Sequence, residues 1–242
     1  MPTLNLLYRR SHPITDVINV SVPTVGEILE DEDDYYGLVS MFTAMPFDMM
    51  VQLDDAGIDF TTIDAWELFM MLFPAIQMRD TSLILGDLDL TKFRVAVNEE
   101  IGDVVLLDAE NDIVIDRMVH DKIATTLRKI HHLEKNTKKP GNDAAKDYLL
   151  KRARAKMKRR KRMSEVSTLE SLIISVVNTE QFKYNYETVK DLTIYQFNES
   201  VYQIVRKVDY DNRMRGVYAG TIDAKALKQE DLTWLITNDR DR

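Results

Sequence analysis

Leu192 to Val208 reads L-T-I-Y-Q-F-N-E-S-V-Y-Q-I-V-R-K-V and carries the most complete helix signature in the chain. Thr193 stands where an N-cap hydroxyl accepts a backbone N–H, and Gln196, three residues on, can return the bond to the N–H of Thr193. Leu192 before the cap and Phe197 after it have the spacing of a hydrophobic staple. The pattern predicts a helix from Ile194 to Val208 with Phe197, Val201, Ile204, Val205 and Val208 on one face, ended by the polar run Asp209 to Asn212. Met214 to Ala219 and Leu227 to Ile236, with Trp234, are expected to add a last packed segment.

The same punctuation recurs toward the N-terminus. Thr24 and Glu27 form a capping box after Pro23, and Ser167-Thr168-Leu169-Glu170 forms another that opens a helix reaching Asn178. Asp64-Ala65-Trp66-Glu67 opens the apolar run W-E-L-F-M-M-L-F, which Pro74 is expected to close. Ahead of these, Ile14 to Val22 alternates apolar and polar positions as a strand does. The acidic run Glu30 to Asp34 lacks the spacing of an EF-hand loop and is expected to interrupt the pattern as a solvated loop. Tyr35 to Met50, rich in Met and aromatics and broken at Pro46, reads as core. The Met stripe from Met41 to Met71 suits burial better than a deformable binding groove.

Between Asp80 and Arg117 the texture turns β-like, with short runs Leu83 to Leu85, Phe93 to Val97, Val104 to Leu107 and Ile113 to Ile115. The cluster D-A-E-N-D joins the last two as a turn. Helix returns at Met118, with Val119, Ile123, Leu127 and Ile130 on one stripe, and Thr137 to Asn142 breaks it. The fold class is therefore α+β, predominantly α-helical, with a small antiparallel β hairpin or meander inserted between helices. Four segments follow: an acidic, Met-rich, helical segment with an N-terminal strand (1–80), a β insertion (81–117), a basic helical segment (118–163), and a C-terminal helical segment packing with the first (164–242).

Charge divides along the same lines. Residues 1–116 hold 5 basic and 23 acidic side chains, 117–162 hold 17 and 4, and 163–242 hold 10 and 13, within a net charge of -8. The positive charge concentrates in Lys146 to Arg162, where ten of seventeen residues are Lys or Arg. Lys151, Arg152, Arg154, Lys156, Lys158, Arg159, Arg160, Lys161 and Arg162 would surround a helix axis, with the far end projecting into solvent. Three readings of this block stay open. It is a solvated face, it contacts an acidic protein surface, including the chain's own N-terminal third, or it binds nucleic acid phosphates. The absence of interleaved aromatics after Tyr148 and the acidic remainder favour the first two.

Zero cysteines exclude disulfides, thiolate chemistry and cysteine zinc sites, and point to a reducing compartment. No signal-peptide pattern and no apolar run of membrane-spanning length is present, so no membrane contact is expected. Asp87-Leu88-Asp89-Leu90-Thr91 matches the D-x-D-x-T of dehalogenase-like phosphotransferases, with Leu83 to Leu85 as the strand before it. The β-α alternation such enzymes need is missing, and two aspartates in a turn is the reading adopted. His131 and His132 are adjacent, and His120 pairs only with Asp116 at a spacing of four, which is no metal motif; interhelical hydrogen bonding is expected instead. No P-loop, G-x-S-x-G or G-x-G-x-x-G occurs. The expectation is no enzyme, no catalytic residue, no metal and no cofactor.

Two stretches resemble a known family. V-P-T-V-G-E-I-L-E-D-E-D-D-Y-Y-G-L-V-S (Val22 to Ser40) is similar to the start of tail-morphogenesis proteins of bacteriophages of Gram-positive hosts. D-L-T-I-Y-Q-F-N-E-S-V-Y-Q-I-V-R-K, G-V-Y-A-G-T-I and Asp231-Leu232-Thr233-Trp234 resemble the closing helix and terminal Trp of phage tail-assembly chaperone-like proteins. The resemblance covers roughly a third of the chain. It implies a non-enzymatic protein of the host cytoplasm that holds the tape measure or another tail component soluble until assembly. A nucleic-acid-binding accessory role through Lys151 to Arg162 is the alternative, and a structural virion component the third. The oligomeric state stays open.

Overall fold

The computed structural model describes residues 5–98, 102–160 and 168–235. Ile18, Val20 and Val22 are completely buried, and their alternation holds the chain extended. The strand is shorter than Ile14 to Val22. Strand β1 (Ser11–Pro13) pairs antiparallel with β2 (Asn19–Ser21). Between them Thr15 Oγ1 accepts from the N–H groups of Val17 and Ile18 at 3.3 and 3.0 Å, which winds the first half of the alternating stretch into a turn.

Helix α1 (Val25–Glu30) begins at the Thr24 capping box: Glu27 N–H donates to Thr24 Oγ1, and Thr24 N–H donates to the Glu27 carboxylate at 2.6 Å. The acidic run is not a loop. Asp31 caps helix α2 (Glu32–Thr43), accepting from Asp34 N–H, and Glu32, Asp33 and Asp34 fill its first turn, where the positive end of the helix dipole stabilises carboxylates. After Pro46 come α3 (Met50–Asp55) and α4 (Ala65–Gln77), the latter opened by Asp64 and Glu67 in a capping box. Pro74 lies inside α4 instead of closing it. Phe73 and Ile76 on either side of it are buried, and keeping both in the core outweighs the one backbone bond that proline removes. Leu83 to Leu85 is likewise not a strand. It falls in α5 (Ser82–Leu85), where Ile84 and Leu85 N–H groups both donate to Thr81 C=O and Gly86, at φ 62°, ends the turn.

The β insertion is a three-stranded antiparallel meander, β3 (Arg94–Val97), β4 (Val104–Asp108) and β5 (Ile113–Ile115) in that spatial order. Helix α6 (Arg117–His131) follows, with Ile123, Leu127 and Ile130 buried and Val119 half-buried, as its periodicity predicts. Helices α7 (Asp143–Arg160), α8 (Thr168–Val177) and α9 (Ile194–Tyr218) complete the chain. The architecture is α+β and predominantly helical. The main core joins Val20, Val25, Phe42, Phe69, Leu106, Leu127, Ile173 and Phe197, so both ends of the chain share one interior.

Helix α9 does not stop at Asp209 to Asn212 but continues to Tyr218. Lys207 Nζ lies 2.6 Å from Asp211 one turn on, and paired polar side chains of this kind sustain helix where an unpaired polar run would end it. The last packed segment is also different. Beyond Phe197 no described residue is buried; Val205 and Val208 are exposed, and residues 219–235 fold back on α9 through Arg213–Asp231 and Lys207 over the Trp234 ring.

The caps of α1 and α9 are joined. Val25 N–H donates to Leu192 C=O (2.9 Å) and Ile194 N–H to Pro23 C=O (2.8 Å), placing the Thr24 and Thr193 capping boxes side by side as an isolated β-bridge. Thr193→Ala is expected to lower stability by about 1 kcal/mol in urea unfolding, as does Thr24→Ala. Because the two caps share the bridge, the double variant should deviate from the sum of the singles.

Candidate interaction surface

Helix α7 starts where Asn142 Oδ1 accepts from Ala145 N–H at 2.8 Å, just past the Pro140-Gly141 breaker. Leu150 is buried, and Leu149 and Ala153 are half-buried, against a small second core of Ala44, Met50, Val51, Leu53, Phe60 and Leu68. Polar anchors flank that contact. Lys146 Nζ lies 2.7 Å from Asp59 and 5.6 Å from the centre of the Phe60 ring. Arg154 donates from one terminal nitrogen to Asp54 (2.5 Å) and from the other to Asp55 (2.6 Å). Leu150 lies four residues after Lys146 and three and four before Ala153 and Arg154, so the four form one inner stripe.

These pairs shift the titration of their members. Hydrogen bonds to Asp55 and Asp54 raise the Arg154 guanidinium further, and the one to Asp59 raises Lys146. The Asp59 carboxyl is lowered to about 2, first by Lys146 and then by Thr61. The pairs are solvent-exposed and screened by salt, so they orient the helix more than they hold it.

The basic residues are thus divided. Arg154 is committed to the protein's own carboxylates, whereas Lys151, Arg152, Lys156, Lys158 and Arg159 are exposed and make no ion pair with a described residue. Tyr148, 65% exposed, stands on the same outer surface. The side chain of Arg160, and Lys161 and Arg162 altogether, lie outside the described residues, as does Ser167 of the expected capping box. Residue spacing identified the basic block but could not divide it, because the partners Asp54, Asp55 and Asp59 lie some ninety residues away in sequence.

The other candidates serve turns and packing. Asp89 accepts from Thr91 N–H (2.9 Å) and Thr91 Oγ1 (2.6 Å), and with α5 before it the D-x-D-x-T stretch lacks the strand a phosphotransferase needs. Asp108 accepts from the N–H groups of Glu110 and Asn111 and from Asn111 Nδ2, fixing the β4–β5 turn. Asp116 caps α6, while His120 is buried and stacked on Phe69 with its Nε2 3.2 Å from Phe42 C=O. His131 Nε2 lies 3.0 Å from Tyr35 Oη across α2 and α6. Among the described residues no group of three or more His, Asp or Glu could hold a metal ion, and no helix is long and apolar enough to cross a membrane. An open groove of about 750 Å³ that the sequence did not signal runs between Leu7, Phe182, Ile204 and Trp234.

Residues 158–236 match the family model of the YomV second domain, a phage-associated family. The match spans the end of α7, α8, α9 and the segment that folds back on α9, about a third of the chain. Neither a curated protein nor a solved structure matches the chain.

Proposed function

We propose that the protein is a non-enzymatic, phage-associated assembly factor that grips an acidic surface of a partner protein with the outer face of α7. One observation carries this reading: the helix is anchored along its inner stripe by Leu150, Lys146 and Arg154, which leaves Lys151, Arg152, Lys156, Lys158 and Arg159 held outward without partners among the described residues. A pre-positioned row of cations gains encounter rate and register from opposite charge at little ordering cost. Arg154 supports a carboxylate-bearing partner, since a side chain of this helix already takes two adjacent aspartates. No aromatic side chain is interleaved with these cations after Tyr148, so the face offers no stacking platform for the bases of a nucleic acid.

The partner in this reading is a tail protein such as the tape measure, and the protein acts as a tail-assembly chaperone in the host cytoplasm. The similarity of Val22 to Ser40 to phage tail-morphogenesis proteins, and of Asp191 to Lys207, Gly216 to Ile222 and Asp231 to Trp234 to tail-assembly chaperone-like proteins, supports that step, and the match over residues 158–236 supports the phage association. Co-expression of the full chain with a phage tape-measure protein tests it. A variant with Lys151, Arg152, Lys156, Lys158 and Arg159 all changed to Gln is expected to lose co-purification while its melting temperature stays within about 2 °C, because Gln forms helix nearly as well as Lys and Arg and the sites are on the surface. Unchanged co-purification would sink the proposal. Steep salt-dependent binding of a single-stranded DNA oligonucleotide, lost in the same variant, would transfer the face to nucleic acid.

A further inference from the structure

The free edge of the β insertion has a pattern of its own. Asn98 N–H donates to Asp103 C=O at 2.9 Å, and β3 pairs with β4 in the register Arg94↔Leu107, Val95↔Leu106, Ala96↔Val105, Val97↔Val104. In an antiparallel ladder the residues alternate between those that bond the neighbour and those that face away. Arg94, Ala96 and Asn98 therefore turn their N–H and C=O toward β4, and Val95 and Val97 turn theirs to the open side. Among the described residues β3 has no strand on that side. The side chains agree with this. Val95 and Val97 share a face with Val104 and Leu106, and while Leu106 is completely buried, Val95, Val97 and Val104 are 62%, 61% and 42% exposed. An apolar row thus runs out of the core to an unpaired edge, a feature that soluble proteins usually blunt with charge, proline or a bulge.

We infer that β3 pairs with β3 of a second copy of this chain, antiparallel about a twofold axis through Ala96, joining two three-stranded meanders into one six-stranded sheet. The edge is self-complementary in this register, as a twofold interface must be. Val95 exchanges both backbone hydrogen bonds with Val97 of the second copy, and Val97 with its Val95, so all four outward-facing peptide groups of each β3 are used. The four valines meet on one face, continuing Val104 and Leu106. Arg94 comes opposite Asn98 of the second copy, so no like charges face each other across the pair. A shift of two residues either way would place a valine opposite a residue outside the strand. A second copy is therefore the occupant that the edge fits, independently of what α7 binds. Four residues of strand cover less than the roughly 800 Å² per partner of a standard interface, so the dimer is a weak one that forms with rising concentration.

Sedimentation of the full chain from about 1 µM to about 1 mM, the span of weak association, reads the outcome. The apparent mass is expected to rise from one chain toward two, with amide exchange at Val95 and Val97 slowing over the same range. Val95→Lys/Val97→Lys is expected to stay at the mass of one chain throughout, with an unchanged melting temperature, since both side chains are exposed in the single chain. A wild-type chain that stays single at every concentration overturns the inference. So does a dimer whose Val95 and Val97 amides exchange as fast as in the single chain, or a double variant that dimerises like wild type.

Discussion

Stability is expected to fall steeply as the pH drops from 6.5 to 5, before most carboxylates begin to titrate. His120 and His131 are the main cause, and His12, lowered by burial and then by Arg9 and Lys129, adds to them. Burial lowers the His120 imidazole to about 4 and the His131 imidazole to about 3, against an unfolded value near 6.5. Each ring is neutral in the folded chain at pH 5, but in the unfolded chain it takes up a proton. The folded pKa lies below the unfolded one, so the stabilisation is fully present above pH 6.5 and drains away as the pH falls toward 4 and 3. Two such groups give a slope of about 2.7 kcal/mol per pH unit, or about 4 kcal/mol lost by pH 5, a large part of the 5–15 kcal/mol that holds a typical domain.

The geometry explains why neither ring can simply accept the charge. His120 is stacked on Phe69 at 4.1 Å between centroids and has the Arg128 guanidinium for a neighbour; Asp121 only partly offsets it. His131 sits against Tyr35 and Tyr36, with its Nε2 hydrogen-bonded to the Tyr35 hydroxyl at 3.0 Å. Burial pushes both phenols upward, Tyr36 to about 12, so neither supplies a counter-charge. Urea midpoints at pH 7.5, 6 and 5 measure the slope, and His131→Gln, whose amide can donate to or accept from Tyr35, should roughly halve it. A midpoint that holds steady from pH 7.5 to 5 would show that these rings charge without cost.

Phe197→Ala should be the most damaging single truncation in the C-terminal third, costing about 3–5 kcal/mol. Phe197 is completely buried, edge-on to Phe182 at 6.2 Å, on the first turn of the helix whose cap is bonded to α1. Its removal leaves a ring-sized void where the two ends of the chain meet, and a close-packed interior does not collapse to fill it. Val205→Ala is the control. The two residues lie on the same predicted stripe, but Val205 is 56% exposed, and its truncation should change stability by less than about 0.5 kcal/mol. Equal losses from the two substitutions would mean that the outer half of α9 is packed after all.

Much of the fold could be read locally. The capping boxes at Thr24, Asp64 and Thr193, the stripe of α6, the β meander and the turn at Asp108 all form as their spacing predicts, because each depends on groups three or four residues apart or on the pleat of one strand. Some failures come from local bonds that compete with the simple pattern, as where Asp31 caps α2 and Lys207 pairs with Asp211; others arise where a distant neighbour decides. Pro74 stays within α4 because Phe73 and Ile76 are wanted in the core, and Leu83 to Leu85 coils because its apolar residues reach the interior from a turn.

The amino-acid order alone determined which residues can start helices, where charge accumulates, and that the basic block belongs to one helix. Only the assembled structure decided which side of that helix is spent on Asp54, Asp55 and Asp59, which valines of α9 stay in water, and which strand edge is left open. The reason is reach. A cap or a periodic stripe is settled by bonds within one turn, whereas burial and ion pairing depend on segments tens of residues apart, whose meeting is fixed by the packing of the whole interior.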